Sequence, residues 1–252
     1  MKAVILAAGK GTRMRDLTQS VPKPMLKVQG KPILEHILDG LRHAGILDFC
    51  IITGYQAETI ENYFGNGATW NIRITYRRQI VQDGTGKAPE MARDFIGNDS
   101  FLLTYGDILV KPETYQRMIE RFAHPPPVAG VVTVTPGEDV TKGGLNFFDN
   151  QFLLQRIVEK PGPAQIEEYR QAGWIKPGSP VWYNAGIYIF GPALFEHTAN
   201  LKKSPRGEYE LPDAVNAMVD SGHTVAGVEI AGRWVDVRDP EVLAGLEAES
   251  AA

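Results

Sequence analysis

The chain is poor in cysteine. Cys50 is the only one in 252 residues, which excludes an internal disulfide. It sits in the apolar run Phe49–Ile52 and reads as a buried strand thiol. Long apolar runs are missing too. No stretch approaches the ~20 residues that span a bilayer, and the N-terminal apolar segment, Val4 to Ala8, is too short for a signal-peptide core. A cytoplasmic protein without a membrane partner is therefore expected. Charge of one sign is not in excess: 26 Lys and Arg stand against 30 Asp and Glu, a net charge of −4. That removes any global electrostatic case for nucleic acid. The histidines, His36, His43, His124, His197 and His223, are scattered without metal-ligand spacing, and the first two fall on a predicted helix as surface residues. No Gly-x-Ser-x-Gly elbow and no Cys–His pairing is visible.

What remains is concentrated at the start. A short apolar strand, Ala3 to Leu6, runs into Ala7-Ala8-Gly9-Lys10-Gly11-Thr12-Arg13, and Lys23-Pro24 follows. Backbone N–H groups, glycines that admit close approach and fixed cations together make a phosphate cradle. The dinucleotide fingerprint is excluded because Met14 stands where the third glycine belongs, which disfavours a Rossmann dehydrogenase. The P-loop spacing is absent as well, both here and at Gly84-Thr85-Gly86-Lys87.

Further along, strand and helix signals alternate. Strands are predicted at Val4–Leu6, Phe49–Thr53, Ile72–Tyr76, Phe101–Thr104 and Val128–Val134, and helices at Pro32–Ala44, Ala57–Phe64, Lys87–Ile96 and Pro112–Phe122. This alternation predicts an α/β fold: a Rossmann-like, mainly parallel sheet with helices on both faces. The second half reads as a smaller mixed α+β part. It has a hairpin over Gly144–Glu159, a strand over Trp182–Phe190 with Gly186 inside, a helix over Glu210–Val219, a strand over Val225–Ile230 and a helix over Pro240–Glu249. One domain over 1–252 is expected, with a nucleotide half to about 135 and the remainder for a second substrate. Ligands in such sheets bind beyond the carboxyl ends of the strands, where the Ala7–Arg13 turn, Tyr105-Gly106-Asp107 and Asn184 fall.

Several side chains there carry chemistry. Asp107 closes an apolar strand and suits Mg²⁺, which takes one or two carboxylates plus substrate phosphates; it is equally a turn-forming Gly-Asp residue. Asp236 is its candidate partner, or else a solvent-facing strand carboxylate. Glu159 can bond sugar hydroxyls and Lys160 a phosphate, or the two are an exposed strand end. Gln79 offers both donor and acceptor to a base edge, with Gly84 admitting the backbone; Thr85 also fits a helix N-cap.

Taken together, the chain resembles the sugar-1-phosphate nucleotidyltransferases over nearly its whole length. The resemblance rests on Leu6 to Met14 with Lys23-Pro24, Gln79 with Gly84-Thr85, Tyr105-Gly106-Asp107, Gly144, Val158-Glu159-Lys160-Pro161, Asn184-Ala185-Gly186, Glu210-Leu211-Pro212 and Trp234-Val235-Asp236, in family order. It implies that a sugar 1-phosphate attacks the α-phosphorus of a nucleoside triphosphate and that pyrophosphate leaves. Arg13 and Lys23 would be catalytic. Leu6, Ala7, Ala8, Gly9, Gly11, Thr12, Gln79, Gly84, Thr85 and Tyr105 would hold the nucleotide. Gly144, Glu159, Lys160 and Asn184 would hold the sugar phosphate, and Asp107 and Asp236 would carry Mg²⁺. Ala7-Ala8-Gly9 is similar to the uridylyl members, so UTP is the expected donor. Cytidylyl, thymidylyl and guanylyl transfer are the alternatives, and a non-catalytic sugar-nucleotide-binding regulator is the alternative of another class. The resemblance implies a monomer or homo-oligomer, and the chain's end after the last helix is read as lacking the left-handed β-helix of some relatives.

Overall fold

In the computed structural model, residues 1–248 are described, and they group into two compact units. The first comprises 1–82, 88–116 and 231 onward; the second comprises 83–87 and 117–230. In chain order the first unit contributes β1 (Lys2–Ala7), the short pair β2 (Lys27–Val28) and β3 (Lys31–Pro32), α1 (Ile33–His43), β4 (Asp48–Thr53), α2 (Ala57–Phe64), β5 (Arg73–Arg78), α3 (Arg93–Ile96), β6 (Phe101–Tyr105) and β7 (Ile108–Val110). Helix α4 (Pro112–Ala123) straddles the division. The second unit holds β8 (Gly130–Pro136), β9 (Gly144–Phe148), β10 (Leu154–Glu159), α5 (Pro163–Gln171), β11 (Trp182–Phe190), α6 (Leu194–Ala199), α7 (Leu211–Asp220) and β12 (Val225–Glu229). The chain then returns to the first unit with β13 (Trp234–Asp236) and α8 (Pro240–Ala248). The final predicted helix reached Glu249, which lies outside the described residues.

The first unit is the parallel sheet the alternation predicts, in the order β6-β1-β4-β5. Its register matters for function. Leu6 lies level with Ile52 and with Tyr105, and Thr53 lies level with Arg78. The carboxyl ends of the four strands thus finish together, and Ala8, Gly54, Gln79 and Gly106 follow directly. The strands are apolar on both sides because both faces are covered: Val4, Ile5, Phe49, Ile51, Leu102 and Leu103 are fully buried. Helix α1 buries Ile33, Leu34, Ile37, Leu38 and Leu41, the stripe expected from its spacing. Its Gly40 is also required by packing, since a Cβ there would lie 2.9 Å from the buried ring of Tyr115.

The second unit is mixed, in the order β10-β9-β11-β8-β12, antiparallel except for β12 beside β8. The glycine inside β11 marks a bulge. Asn184 pairs with Val134 and Tyr188 with Val132, so β11 carries extra residues there, and Gly186 takes φ +78°. Thr133 fills the gap, its hydroxyl donating to the Ile187 carbonyl at 2.8 Å and accepting from the Ile187 N–H at 3.2 Å.

Some boundaries differ from expectation. Residues 88–92 form a 3-10 turn and only Arg93–Ile96 is α-helical, because Pro89 lacks an N–H and biases Ala88 away from the helical region. Helix α5 was missed because it is polar, burying only Ile166. His36 is half-buried, with Nε2 2.7 Å from the Val28 carbonyl, whereas His43 is exposed. The units also do not divide at a single cut near residue 135. Strand β8 pairs with β11 and β12, while β13 pairs with β7, which draws the C-terminal segment back to the first unit.

Candidate active site

The candidate residues fall into two clusters, one in each unit. In the first, β1 ends at Ala7 and the chain turns through Ala8, Gly9 and Gly11. Gly11 has φ +62°, and a Cβ added there would lie 3.0 Å from Lys23 Cβ. The turn closes with the Met14 N–H on the Gly11 carbonyl at 2.8 Å, and the buried Thr18 hydroxyl donates to the same carbonyl at 3.1 Å. Thr12 and Arg13 point outward and are exposed; Met14 is fully buried and anchors the turn. Arg15 takes φ +54°, ψ −127°, a backbone conformation side chains rarely adopt. On the opposite side, Ala8 is held by its carbonyl, which accepts from the Tyr55 N–H at 3.1 Å and from the Gln82 side chain at 2.8 Å. A Cβ on Gly54 would sit 2.7 Å from that carbonyl, so Gly54 is required.

Lys23 lies in a short turn between Pro22 and Pro24, whose fixed φ leaves it little freedom. It is only 7 % exposed. Its Nζ is 2.5 Å from Asp107 Oδ2 and 3.8 Å from Asp236 Oδ1. Asp107 follows Gly106, whose N–H bonds the Leu6 carbonyl at 2.9 Å and whose position leaves a Cβ only 3.2 Å from Ala7. Asp236 is delivered by β13, paired antiparallel with β7 so that Asp236 faces Ile108. The Val237 N–H donates to the Asp107 carbonyl at 3.0 Å, which closes the pair. Burial, and then the negative charge of Asp107, push the Asp236 carboxyl up to about 6 against the pull of Lys23, Arg238 and Arg13. Arg13 makes no ion pair with a described residue, yet its charge reaches this carboxylate.

The donor set fits a hard divalent cation. Two carboxylates converge on a resident ammonium that already occupies a cation's place, and no group of three or more His, Cys, Asp or Glu forms a closed metal cage among the described residues. Such a site leaves the remaining ligands to come from phosphate oxygens and water. Gln79 follows β5 in this unit, its N–H on the Thr53 carbonyl at 2.7 Å, and Tyr105 ends β6.

The second cluster belongs to the other unit. Gly84 takes φ +117°, and a Cβ there would lie 2.3 Å from the Tyr209 carbonyl oxygen. The Thr85 hydroxyl accepts from the Leu211 N–H at 3.4 Å, at the start of α7. It therefore serves α7 rather than capping the helix expected after it. Gly144 opens β9 opposite Glu159, and a Cβ on it would be 2.8 Å from Asn184 Cβ. The Asn184 side-chain oxygen accepts from the Tyr188 hydroxyl at 3.1 Å. Lys160 takes φ +46°, and its N–H reaches the Gly143 carbonyl at 2.6 Å. Burial raises the Glu159 carboxyl above the ordinary range; Lys160 and Arg206 pull it down and Glu210 pushes it up.

Arg206 is the functional candidate that sequence reasoning missed. Its guanidinium lies 3.5 Å from Glu159, 3.1 Å from Glu210 and 2.7 Å from Glu208. The only signal was its place just before Glu210-Leu211-Pro212.

The parallel sheet with a mixed second unit is the nucleotide-diphospho-sugar transferase fold of its structural neighbours. Comparison with known proteins agrees. The family model described as nucleotidyl transferase matches residues 2–249, and the chain belongs to that family. It is 32% identical to the UTP–glucose-1-phosphate uridylyltransferase AglF of Haloferax volcanii, over 96% of this chain and 93% of that protein. It is 31% identical to the low-salt glycan biosynthesis nucleotidyltransferase Agl11 of the same organism, over 96% of this chain and 63% of that one. The bifunctional protein GlmU of Methanococcus aeolicus is 34% identical over 95% of this chain, which spans 52% of its length. Among solved structures, a Bacillus anthracis protein assigned as a glucose-1-phosphate thymidylyltransferase superposes with TM-score 0.83 at 26% identity, covering 99% of this chain and 95% of that one. A UDP-glucose pyrophosphorylase superposes at 0.82 with 22% identity, over 99% of this chain and 98% of that one, which supports the fold. Among the described residues no helix is long and apolar enough to cross a membrane.

Proposed function

We propose that the chain transfers a nucleoside monophosphate from a nucleoside triphosphate to a sugar 1-phosphate. The observation that carries this is the Lys23–Asp107–Asp236 group beside the Gly11 turn. A phosphate oxygen of the sugar 1-phosphate attacks the α-phosphorus in line. A P–O bond forms there, the bond to the β-phosphate oxygen breaks, and pyrophosphate leaves with the electron pair. No covalent protein nucleophile is needed, since positioning and charge neutralisation supply the rate.

Each residue has a place in this scheme. Arg13, exposed at the tip of the turn, holds the β- and γ-phosphates and steadies the leaving pyrophosphate. The Lys23 ammonium has three donors; Asp107 takes one, and the rest are available to an α-phosphate oxygen. Asp107 and Asp236 would hold Mg²⁺, which polarises the α-phosphate when bound. The backbone from Leu6 to Thr12, with Gln79 and Tyr105, frames the nucleotide. Lys160 and Arg206 meet the sugar phosphate, while Glu159, Asn184 and the Gly144 backbone bond sugar hydroxyls. UTP is the donor we favour, on Ala8 and on the full-length similarity to AglF.

A pyrophosphate-release screen with Mg²⁺, crossing UTP, CTP, GTP, ATP and dTTP with a panel of sugar 1-phosphates, tests both levels. Release with UTP supports the whole reading, and release with another triphosphate overturns the choice of base. Silence across the panel overturns the enzymatic reading in favour of a sugar-nucleotide-binding regulator.

A further inference from the structure

A third group of residues lies away from both clusters, wholly within the second unit. The last two turns of α4, the tip of the β9–β10 hairpin and the end of β12 enclose an open cleft of about 490 Å³, a volume that suits a small ligand. Arg117, Glu120, Arg121 and His124 line it at the spacing of one helix face, and Glu229 lines it from β12. Arg117, Glu120, Arg121 and Glu229 make no ion pair or side-chain hydrogen bond with a described residue. Other arginines of this chain do hold carboxylates, among them Arg73, Arg77, Arg78, Arg93, Arg170 and Arg206. Glu120 even stands three residues from Arg117, the separation at which Glu167 and Arg170 pair. Arg121 also suits the carbonyl end of α4, but Arg117, a turn earlier, has no such use.

The hairpin tip is strained where it meets the cleft. Phe152, which lines it, takes φ +59°, a left-handed conformation that favours glycine and is an outlier for a bulky side chain. The surrounding structure holds it there. The Asp149 carboxylate accepts from the Gln151 and Leu153 N–H groups, both at 2.9 Å, and the Gly227 N–H donates to the Phe152 carbonyl at 2.8 Å. The Phe152 ring stacks on Phe148 at 4.3 Å and meets Trp182 edge-on at 5.3 Å. Both phenyl rings lie against Gly227, where a Cβ would fall 2.6 Å from Phe148 and 2.7 Å from Phe152. Even so, Phe152 is only half-buried. Backbone strain thus holds an aromatic ring at the wall of a cleft that also carries two unmatched guanidinium groups, and strain of this kind collects at ligand clamps.

We infer that this cleft binds a phosphorylated sugar ring, free or carried in a nucleotide. Arg117 and Arg121, one turn apart, present planar forks to the phosphate. Phe152 packs against the ring. Glu120 and Glu229 accept from its hydroxyls. Their charge offsets the two arginines, so a bare polyanion gains little here and a polyhydroxylated ester gains most. No residue of either catalytic cluster lines the cleft, so its ligand is additional to the transfer reaction. The test follows amide NMR shifts of the whole chain while glucose 1-phosphate, uridine monophosphate and inorganic pyrophosphate are titrated separately. The Gly227 and Glu229 amides should shift with at least one of the two esters, with a Kd below about 1 mM, and not with pyrophosphate. A response to glucose 1-phosphate identifies a free sugar phosphate as the source, and a response to uridine monophosphate alone identifies a nucleotide. Arg117→Met combined with Arg121→Met should weaken binding at those amides by about 10-fold or more, while pyrophosphate release in the screen stays at the wild-type rate. Phe152→Gly, which suits the left-handed φ, should weaken it likewise in a folded protein. The inference is overturned if neither ester shifts those amides at about 10 mM, if pyrophosphate shifts them as strongly, or if the double variant binds as tightly as the wild type. Each of these results leaves the proposed function standing.

Discussion

Replacing Arg206 by Met keeps most of the side chain's bulk and deletes its charge, and the cost should depend on pH. The guanidinium faces three carboxylates of different exposure. The Glu208 side chain is 49% exposed, so its 2.7 Å contact contributes little, about 0–1 kcal/mol. Glu210 is 7% exposed and Glu159 22%. Stripping a buried carboxylate of its partner costs roughly 3–5 kcal/mol; with Arg206 itself partly in solvent, about 2 kcal/mol is the reasonable figure here. For a chain of this size that is roughly 4–8 °C in Tm. The sign with pH follows from Glu159. Its folded pKa is already raised by burial, so the native state holds this proton more tightly than the unfolded chain, and stability falls as pH climbs from the unfolded value through the folded one. Arg206 is one of the charges restraining that rise. Without it the folded value moves higher still, and the deficit opens with rising pH, reaching its full size at neutrality. Thermal melts at pH 7.5 and pH 4 should show the ~2 kcal/mol loss at the first and a much smaller one at the second. A deficit of equal size at both values would show that Arg206 acts by packing, and the electrostatic argument would fall.

Other consequences follow from the same geometry. Lys23→Met should abolish most pyrophosphate release and also destabilise the first unit, because Asp107 and Asp236 would face each other without their shared cation; a stable, active variant would refute the assignment. Asp107→Asn should remove most turnover and blunt the response of Tm to added Mg²⁺, whereas a wild-type response would place the cation elsewhere. Gln79→Ala should blur discrimination among triphosphates more than among sugars, measured as ratios of kcat/KM. Lys160→Ala should raise the KM for the sugar phosphate, and an effect confined to the triphosphate would move Lys160 to another role.

The parts legible in the sequence are those whose physics is local. The Leu6–Arg13 turn is legible because its glycines stand directly after a short apolar strand, and the left-handed φ of Gly11 bears out a tight turn there. The parallel sheet was legible for a similar reason: its strands are short apolar runs set between amphipathic helices, and the buried stripe of α1 follows directly from its spacing. Polar α5 has no such stripe, and Pro89 breaks a helix that composition alone would continue. The clearest misses depend on partners far along the chain. Arg206 is one, and for Asp236 local pattern alone leaves a solvent-facing strand carboxylate open beside the pairing with Asp107; the β13–β7 pairing is what brings it to Lys23.

Gly84 shows why the remaining site chemistry was hidden. From the sequence it reads as a glycine that lets backbone approach a base, and Thr85 beside it as a helix cap. In the fold the first constraint on Gly84 is protein, since the Tyr209 backbone fills the space a side chain would need, and the Thr85 hydroxyl is taken up at the start of α7. Nothing near either residue encodes this, because the clamp comes from the exposed, charged loop Ser204–Glu210, whose composition alone reads as solvent-facing. The same loop carries Arg206, which passes for one more surface arginine until Glu159 and Glu210 are seen around it. A motif glycine and an unremarked arginine thus belong to one structural element. Glu210 joins the two ends of that element, since it stands at the N-cap position of α7 and its buried carboxylate holds Arg206 at 3.1 Å.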